Sequence, residues 1–370
     1  MVKFRVLLSL RPSQGKSHSR LHSCNTVRAT HPEPGSPGMS AAQLRILGLV
    51  LAAGLPVAPA WAGDYGPPVD CDLGRTCFLQ QMPDMEPGPG AADPYCGPAT
   101  YDGHTGIDVR VRSMADVAGG VPVLAMRDGI VRGIRDGEDD RLVRTEDDRK
   151  AIADRECGNG VLIDHGDGAV TQYCHLRRGS VRVRNGDTVA RGQPIGQIGA
   201  SGMAQFPHVH AELRIDGKPV DLLTGRPLDA GCDGGLGEVR SLFDGDFAGR
   251  LGDGDGTLLD AGFASGAVDH DTLGETGAPR LPDVRAGALT GWAWFANLRK
   301  GDRIRLRLNG PAGGVIADVT SKPMDRSKAT YSVFAGKRGA PAAGEHGLLI
   351  ELLRGGEVIR SARRTLTIGG

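Results

Sequence analysis

An excess of positive charge is missing: 44 Lys and Arg face 44 Asp and Glu, a formal net charge of +0. That removes the electrostatic case for a nucleic-acid binder, whose footprint is a basic surface. Long apolar runs are missing too. The one extended candidate, residues 44–62, is broken by Arg45, Pro56 and Pro59, too interrupted for a span of about 20 apolar residues. No Cys-x-x-Cys pair occurs, so the cysteines do not read as a metal cage. A His-Glu-x-x-His helix motif is also absent, which removes the helical zincin reading. Gly and Pro, 57 and 23 of 370 residues, stay below the roughly 25–30 % of low-complexity chains. What remains is a turn-rich, mainly β protein with room for two or three domains.

The broken apolar stretch fits a secretory signal. Met39 to Arg45 forms a short n-region, Ile46 to Leu55 an h-region, and Ala60-Trp61-Ala62 a small-x-small cleavage site. The expectation is export to the periplasm or medium with Gly63 as first residue and no membrane span after cleavage. Residues 1–38 read as an upstream extension. Residues 1–62 hold seven basic residues and one acidic residue, so 37 basic and 43 acidic residues remain, net −6. Six cysteines remain as well: Cys71, Cys77, Cys96, Cys157, Cys174 and Cys232. An even number in an exported chain predicts up to three disulfides, and Cys71 and Cys77 are close enough for a local bridge.

Residues 63–99, rich in Pro, Gly and Asp, predict an irregular, disulfide-tied entry segment. Across 100–231, short β-type runs alternate with Gly turns, and Gly160–Asp164 and Ala169–Leu176 flank His165-Gly166-Asp167-Gly168, a hairpin signal. The charged stretch 136–156 interrupts the pattern, with a surface helix in its second half. Residues 232–280 read as a Gly- and Asp-rich linker, and Asp253-Gly254-Asp255-Gly256 as a turn, because Ala264 stands where a calcium loop needs a Glu. Residues 281–370 carry roughly seven short strands with turns between them, the pattern of a small immunoglobulin-like sandwich. This accessory domain carries no chemistry, and Trp292, Trp294 and Phe295 read as core and inter-sheet packing.

Four histidines of the first β-rich region stand out. His208 and His210 have two-residue spacing, which puts both imidazoles on one face of a strand and sends Val209, Ala211 and Leu213 to the other. His104 lies four residues before Asp108. Imidazoles and a carboxylate suit zinc, whose catalytic sites keep three protein ligands and an open position. From spacing alone, a metal site and a scatter of surface or core histidines both remain open.

His104-Thr105-Gly106-Ile107-Asp108, Gln172-Tyr173-Cys174-His175-Leu176, Ser201-Gly202 and Pro207-His208-Val209-His210 occur in the order of a known pattern. Together with Ile163–Gly168 and Gly186–Gly196, they make residues 100–223 resemble the lysostaphin-type (LytM-like) zinc endopeptidases of bacterial cell walls. The resemblance implies an antiparallel β-sheet zinc-peptidase domain, one zinc per chain bound by His104, Asp108 and His210, and His208 and His175 as catalytic groups outside the metal shell. It implies peptidoglycan peptides as substrate. A catalytically silent wall-binding or hydrolase-activating module on the same fold is the rival. His165 is then a hairpin stabiliser, and His270 and His346 are surface residues. The insertion at 136–156 departs from the family, as does Cys174 beside His175, for which a bridge to Cys157 across the hairpin is expected.

Overall fold

The computed structural model describes residues 63–232 and 241–369. The expected signal segment and cleavage site lie outside them. Ten strands come first: β1 (Phe78–Gln81), β2 (Ile107–Arg110), β3 (Pro122–Leu124), β4 (Gly129–Arg135), β5 (Asn159–Asp164), β6 (Ala169–Leu176), β7 (Thr188–Val189), β8 (Pro194–Gln197), β9 (His208–Ile215) and β10 (Lys218–Val220). Eight form one antiparallel sheet in the order β1-β2-β9-β6-β5-β4-β7, with β10 folded back on β9, while β3 and β8 pair separately. Helices α1 (Met114–Ala118) and α2 (Glu146–Ala151) are short. The second lies in the charged insertion, capped by Thr145 and exposed along most of its length.

Alternation decides which face of this sheet is the core. On β9, Val209, Ala211 and Leu213 are fully buried against Ile107 and Val109 of β2, Val161 and Ile163 of β5, and Tyr173 of β6. Each of the Val, Leu and Ile side chains contributes about 1.5–3 kcal/mol on leaving water. A one-residue slip would turn the whole apolar set outward, so the register is strongly fixed. The same alternation sends His208, His210 and Glu212 to the opposite face.

The later strands are β11 (Thr257–Ala264), β12 (Ala288–Leu298), β13 (Arg303–Asn309), β14 (Val315–Thr320), β15 (Lys328–Arg338), β16 (Gly344–Arg354) and β17 (Glu357–Ile368). They make a three-stranded sheet, β11-β12-β15, against a four-stranded one, β14-β13-β16-β17. Ile304, Leu306 and Leu308 of β13 point inward between Arg303, Arg305 and Arg307, and meet Phe295, Ile350 and Leu352. Two further helices, α3 (Gly245–Leu251) and α4 (His270–Thr276), precede β12.

Four expectations need correction. The entry segment is not wholly irregular, since β1 pairs with β2 as an edge strand; four residues are too few to show a period. The expected linker contains β11, paired along β12, because Ala261 and Phe263 alternate into the sandwich core beneath its Gly- and Asp-rich flanks. Trp292 and Trp294 do not pack between the sandwich sheets. Leu289, Ala293 and Phe295 of β12 face that core, whereas Trp292, Trp294 and Ala296 point the other way and cluster with Phe78, Leu259 and Leu273. Finally, His346 is buried at 1 % exposure, not on the surface, and donates from Nδ1 to the Gly344 carbonyl. His270 is half-buried against Trp294 and the hydroxyls of Thr330 and Ser332.

The six cysteines among the described residues are paired, as Cys71–Cys77, Cys96–Cys232 and Cys157–Cys174. Asp255 of the expected turn forms a salt bridge with Arg354 and with Arg299.

Candidate metal centre

β9 runs between β2 and β6, with Asp108 directly opposite His210 on one side and Cys174 opposite it on the other. Directly opposed residues share a face, so Asp108 and His210 meet there. His104 reaches them from the turn before β2. That turn needs Gly106, where a Cβ would run into the Ala211 carbonyl and crowd the His210 ring.

The three side chains converge on one point. His104 Nε2 lies 3.1 Å from Asp108 Oδ1 and 3.1 Å from His210 Nδ1, and His210 Nδ1 lies 3.0 Å from Asp108 Oδ1. His104 Nδ1 is 2.6 Å from the Met82 carbonyl. A carbonyl only accepts, so this nitrogen carries the proton and Nε2 offers a lone pair. Three electron-rich atoms thus face one another, and one proton on His210 cannot satisfy them all. A cation can. Tetrahedral zinc, with bonds of about 2.0–2.1 Å, sets its ligand atoms roughly 3.3–3.4 Å apart, so the donor set fits the ion with a small expansion.

Glu212, two residues along the same face, was not singled out from sequence, although the period that placed His208 and His210 together also reaches it. Its Oε2 lies 3.7 Å from His210 Nε2 and accepts from Thr105 Oγ1 at 2.5 Å, while Oε1 pairs with Arg214. A carboxylate behind a histidine ligand orients the ring and raises its basicity. Burial pushes the His210 imidazole down, but the hydrogen bonds and charges of Asp108 and Glu212 override it and raise it to about 9. For Asp108, burial favours the neutral acid. The charges of His104 and His208, with hydrogen bonds from His104 and His210, outweigh it and hold the carboxyl well below the usual carboxylate range.

His175 and His208 stand beside this group. Their ring centroids are 4.5 Å apart, and His175 is 6.2 Å from His210. His208 Nδ1 donates to the Phe206 carbonyl and His175 Nδ1 to the Ser201 carbonyl, both at 2.8 Å. Nε2 is therefore the free acceptor on each ring. His208 Nε2 lies 3.7 Å from Asp108 Oδ1. Burial depresses both imidazoles, His175 well below the usual range with the neighbouring His208 and His210 adding to the effect. His175 also has φ 61°, an uncommon backbone state for a non-glycine residue. It is held there by its backbone N–H, which donates to the Cys157 carbonyl at 2.8 Å, next to the Cys157–Cys174 bridge.

His165 is not brought to this group. It sits at the β5–β6 hairpin, with Nδ1 donating to the Asp128 carbonyl and Nε2 beside Thr171 Oγ1.

Residues 102–222 match the family described as Peptidase family M23. The chain is 42 % identical over 66 residues to the peptidoglycan DD-endopeptidase ShyA of Vibrio cholerae, covering 18 % of this chain and 15 % of that protein. It is 33 % identical over 124 residues to the DD-carboxypeptidase/endopeptidase Mpg of Neisseria meningitidis, covering 33 % and 22 %. The chain thus spans under a quarter of either relative's length. Among solved structures, the catalytic domain of the prophage-encoded M23 protein EnpA from Enterococcus faecalis matches at 25 % identity and a TM-score of 0.28, covering 44 % of this chain and 94 % of that one.

Proposed function

We propose that this chain is an exported zinc-dependent endopeptidase that hydrolyses peptide cross-links of peptidoglycan. The observation that carries the reading is the convergence of His104 Nε2, Asp108 Oδ1 and His210 Nδ1 within 3.0–3.1 Å of one another. The likeness to a relative named as a peptidoglycan DD-endopeptidase supports the cell wall as substrate class. Export, with Gly63 as the mature N-terminus, is supported by the signal pattern at residues 39–62.

His104, Asp108 and His210 would hold one zinc. Bound there, the ion supplies Lewis acidity that polarises the scissile carbonyl and acidifies water. The remaining work falls to the two neutral histidines. His208 has its Nδ1 proton committed to Phe206, so its Nε2 is the base that takes a proton from the attacking water. It is buried and uncharged near neutral pH, so the base is ready before substrate arrives. The same proton then passes to the leaving amine, and the amide becomes a carboxylate and an amine. His175, held in the same tautomer by Ser201, begins as a second acceptor. It stays neutral through the reaction, its Nε2 lone pair orienting the attacking water beside His208.

Purified peptidoglycan incubated with the protein and analysed by mass spectrometry tests the reading. Uncross-linked fragments should appear, vanish on chelation and return with zinc. Intact cross-links in the presence of protein holding one zinc per chain would overturn it, leaving the wall-binding or hydrolase-activating module as the better reading.

A further inference from the structure

The sandwich does not merely follow the metallopeptidase domain; it closes over one edge of that domain's sheet. Phe78 of β1 lies in one apolar cluster with Trp292 and Trp294 of β12. Gln80 donates to Asn297 Oδ1 at 3.1 Å, and Asn297 Nδ2 donates back to the Gln80 carbonyl at 2.6 Å. Beneath this seam lies Arg110, 1 % exposed and directly opposite His208 across the β2–β9 pair.

Arg110 is an unusual group to bury. Among the described residues no carboxylate pairs with it. Its guanidinium donates to Gln80 Oε1, the Val111 carbonyl and the Arg112 carbonyl at 2.8–3.0 Å. What remains of its charge is met by two aromatic faces, Trp294 at 5.0 Å and Phe206 at 4.8 Å, an attraction that strengthens when the cation is shielded from water. Phe206 in turn lies 4.5 Å from the His208 ring, which lies 4.5 Å from His175. Five planar groups therefore form one column, from a tryptophan of the C-terminal sandwich to the histidine pair beside the metal group. Phe206 also supplies the carbonyl that fixes the His208 tautomer.

We infer that the C-terminal sandwich is part of the catalytic apparatus, with Trp294, Arg110 and Phe206 as positioning residues that hold the His208 imidazole in place. The inference rests on the reading of His208 as the base. The strand register fixes the His208 backbone, but its ring is set by what it leans on. That support is the Phe206 ring and carbonyl, on a loop that is itself pinned by Arg110. Without the Trp294 ring, the guanidinium loses one of its two faces and the loop loses its backing.

Trp292 provides the control, because it shares the strand face and the apolar cluster of Trp294, while Trp294 is the tryptophan whose ring the Arg110 guanidinium covers. In the full chain, Trp294→Leu should retain one zinc and lower kcat about 10–100-fold, the usual consequence of a misplaced reacting group, with KM within about twofold. Trp294→Phe, which keeps an aromatic face, should restore most of the rate. Trp292→Leu should cost thermal stability on a similar scale and leave kcat within about twofold. Should Trp294→Leu not fold, Phe206→Leu carries the same expectation, since Phe206 is only half-buried. Imidazole resonances from histidine-labelled protein supply a readout independent of turnover: the His208 signals should move in Trp294→Leu and stay in Trp292→Leu. Equal kcat in the two leucine variants, or unmoved His208 signals, would overturn the inference. If the unmodified protein leaves peptidoglycan intact, the proposed function falls alone, and the resonances still decide the positioning.

Discussion

Raising the pH should tighten metal binding about tenfold per unit from pH 6 to 8 and level off near pH 9. The reason lies in His210, whose metal-free imidazole is raised to about 9. At pH 7 a cation must displace a proton held two units above ambient, which weakens apparent affinity about 100-fold, or roughly 2.7 kcal/mol at 1.36 kcal/mol per unit. At pH 6 the factor is about 1000. Competition with a chromophoric chelator at fixed ionic strength measures the slope directly. In Glu212→Gln, one of the groups that raises His210 is gone, so the plateau should be reached at lower pH. Stability of the metal-free protein should follow the opposite course. A histidine raised above its unfolded value contributes stability that is full below about pH 6.5. That contribution is lost as pH rises through about 9, so the metal-free protein should melt lower at pH 10 than at pH 7. A metal affinity flat between pH 6 and 8 would refute the account of His210.

His210→Ala should lose zinc and activity together, whereas His208→Ala and His175→Ala should keep near-stoichiometric zinc while turnover falls by roughly 10²–10⁴; metal analysis of folded variants separates the two classes, and equal zinc loss in all three would reject the assignment. Replacing Cys157 and Cys174 together by Ala opens a loop with a sequence separation of 17, and should cost about 3 kcal/mol as well as rate, because His175 hangs from the Cys157 carbonyl; a shift in melting temperature with unchanged kcat would refute the second part. A chain ended after Cys232 uncovers Phe78, at about 1.5–3 kcal/mol for that side chain, and leaves Arg110 without the Trp294 face, so the remaining domain should melt at a lower temperature than in the full chain by calorimetry. An unchanged melting temperature would contradict it.

The strand-borne part of the site was legible because its grammar is local. His208 and His210 alternate with Val209, Ala211 and Leu213, and a period of two needs no knowledge of the rest of the chain. The same period pointed to Glu212, which went unnoticed because a lone carboxylate after an alanine carries no signal without Thr105 and Arg214 around it. Arg110 was invisible for a different reason. A single arginine at a strand end reads as solvated, and only the arrival of Trp294, 184 positions later in the sequence, covers it. Strands β1 and β11 were missed because their flanks are rich in Gly, Pro and Asp. Their pairing is decided by β2 and β12, which supply the hydrogen bonds and the apolar cover. The tryptophans illustrate the limit of composition: β12 is buried on both faces, and nothing in its own residues says which face meets which neighbour.

The disulfide pattern sets a problem in oxidative folding. If cysteines paired strictly in the order in which they are synthesised, Cys71 would meet Cys77, Cys96 would meet Cys157, and Cys174 would meet Cys232. Only the first of these is native. Cys96 must therefore wait as a thiol while 136 residues are made, roughly 7–27 s at about 5–20 residues per second. Hairpins form in about 1–10 μs and disulfides in seconds to hours. The β5–β6 hairpin can thus set Cys157 beside Cys174 before either is oxidised, which removes the chief competitor for Cys96. An oxidant faster than hairpin closure would trap the chain with His175 tethered to the wrong partner's strand, and only a thiol able to reshuffle the bridges would release it.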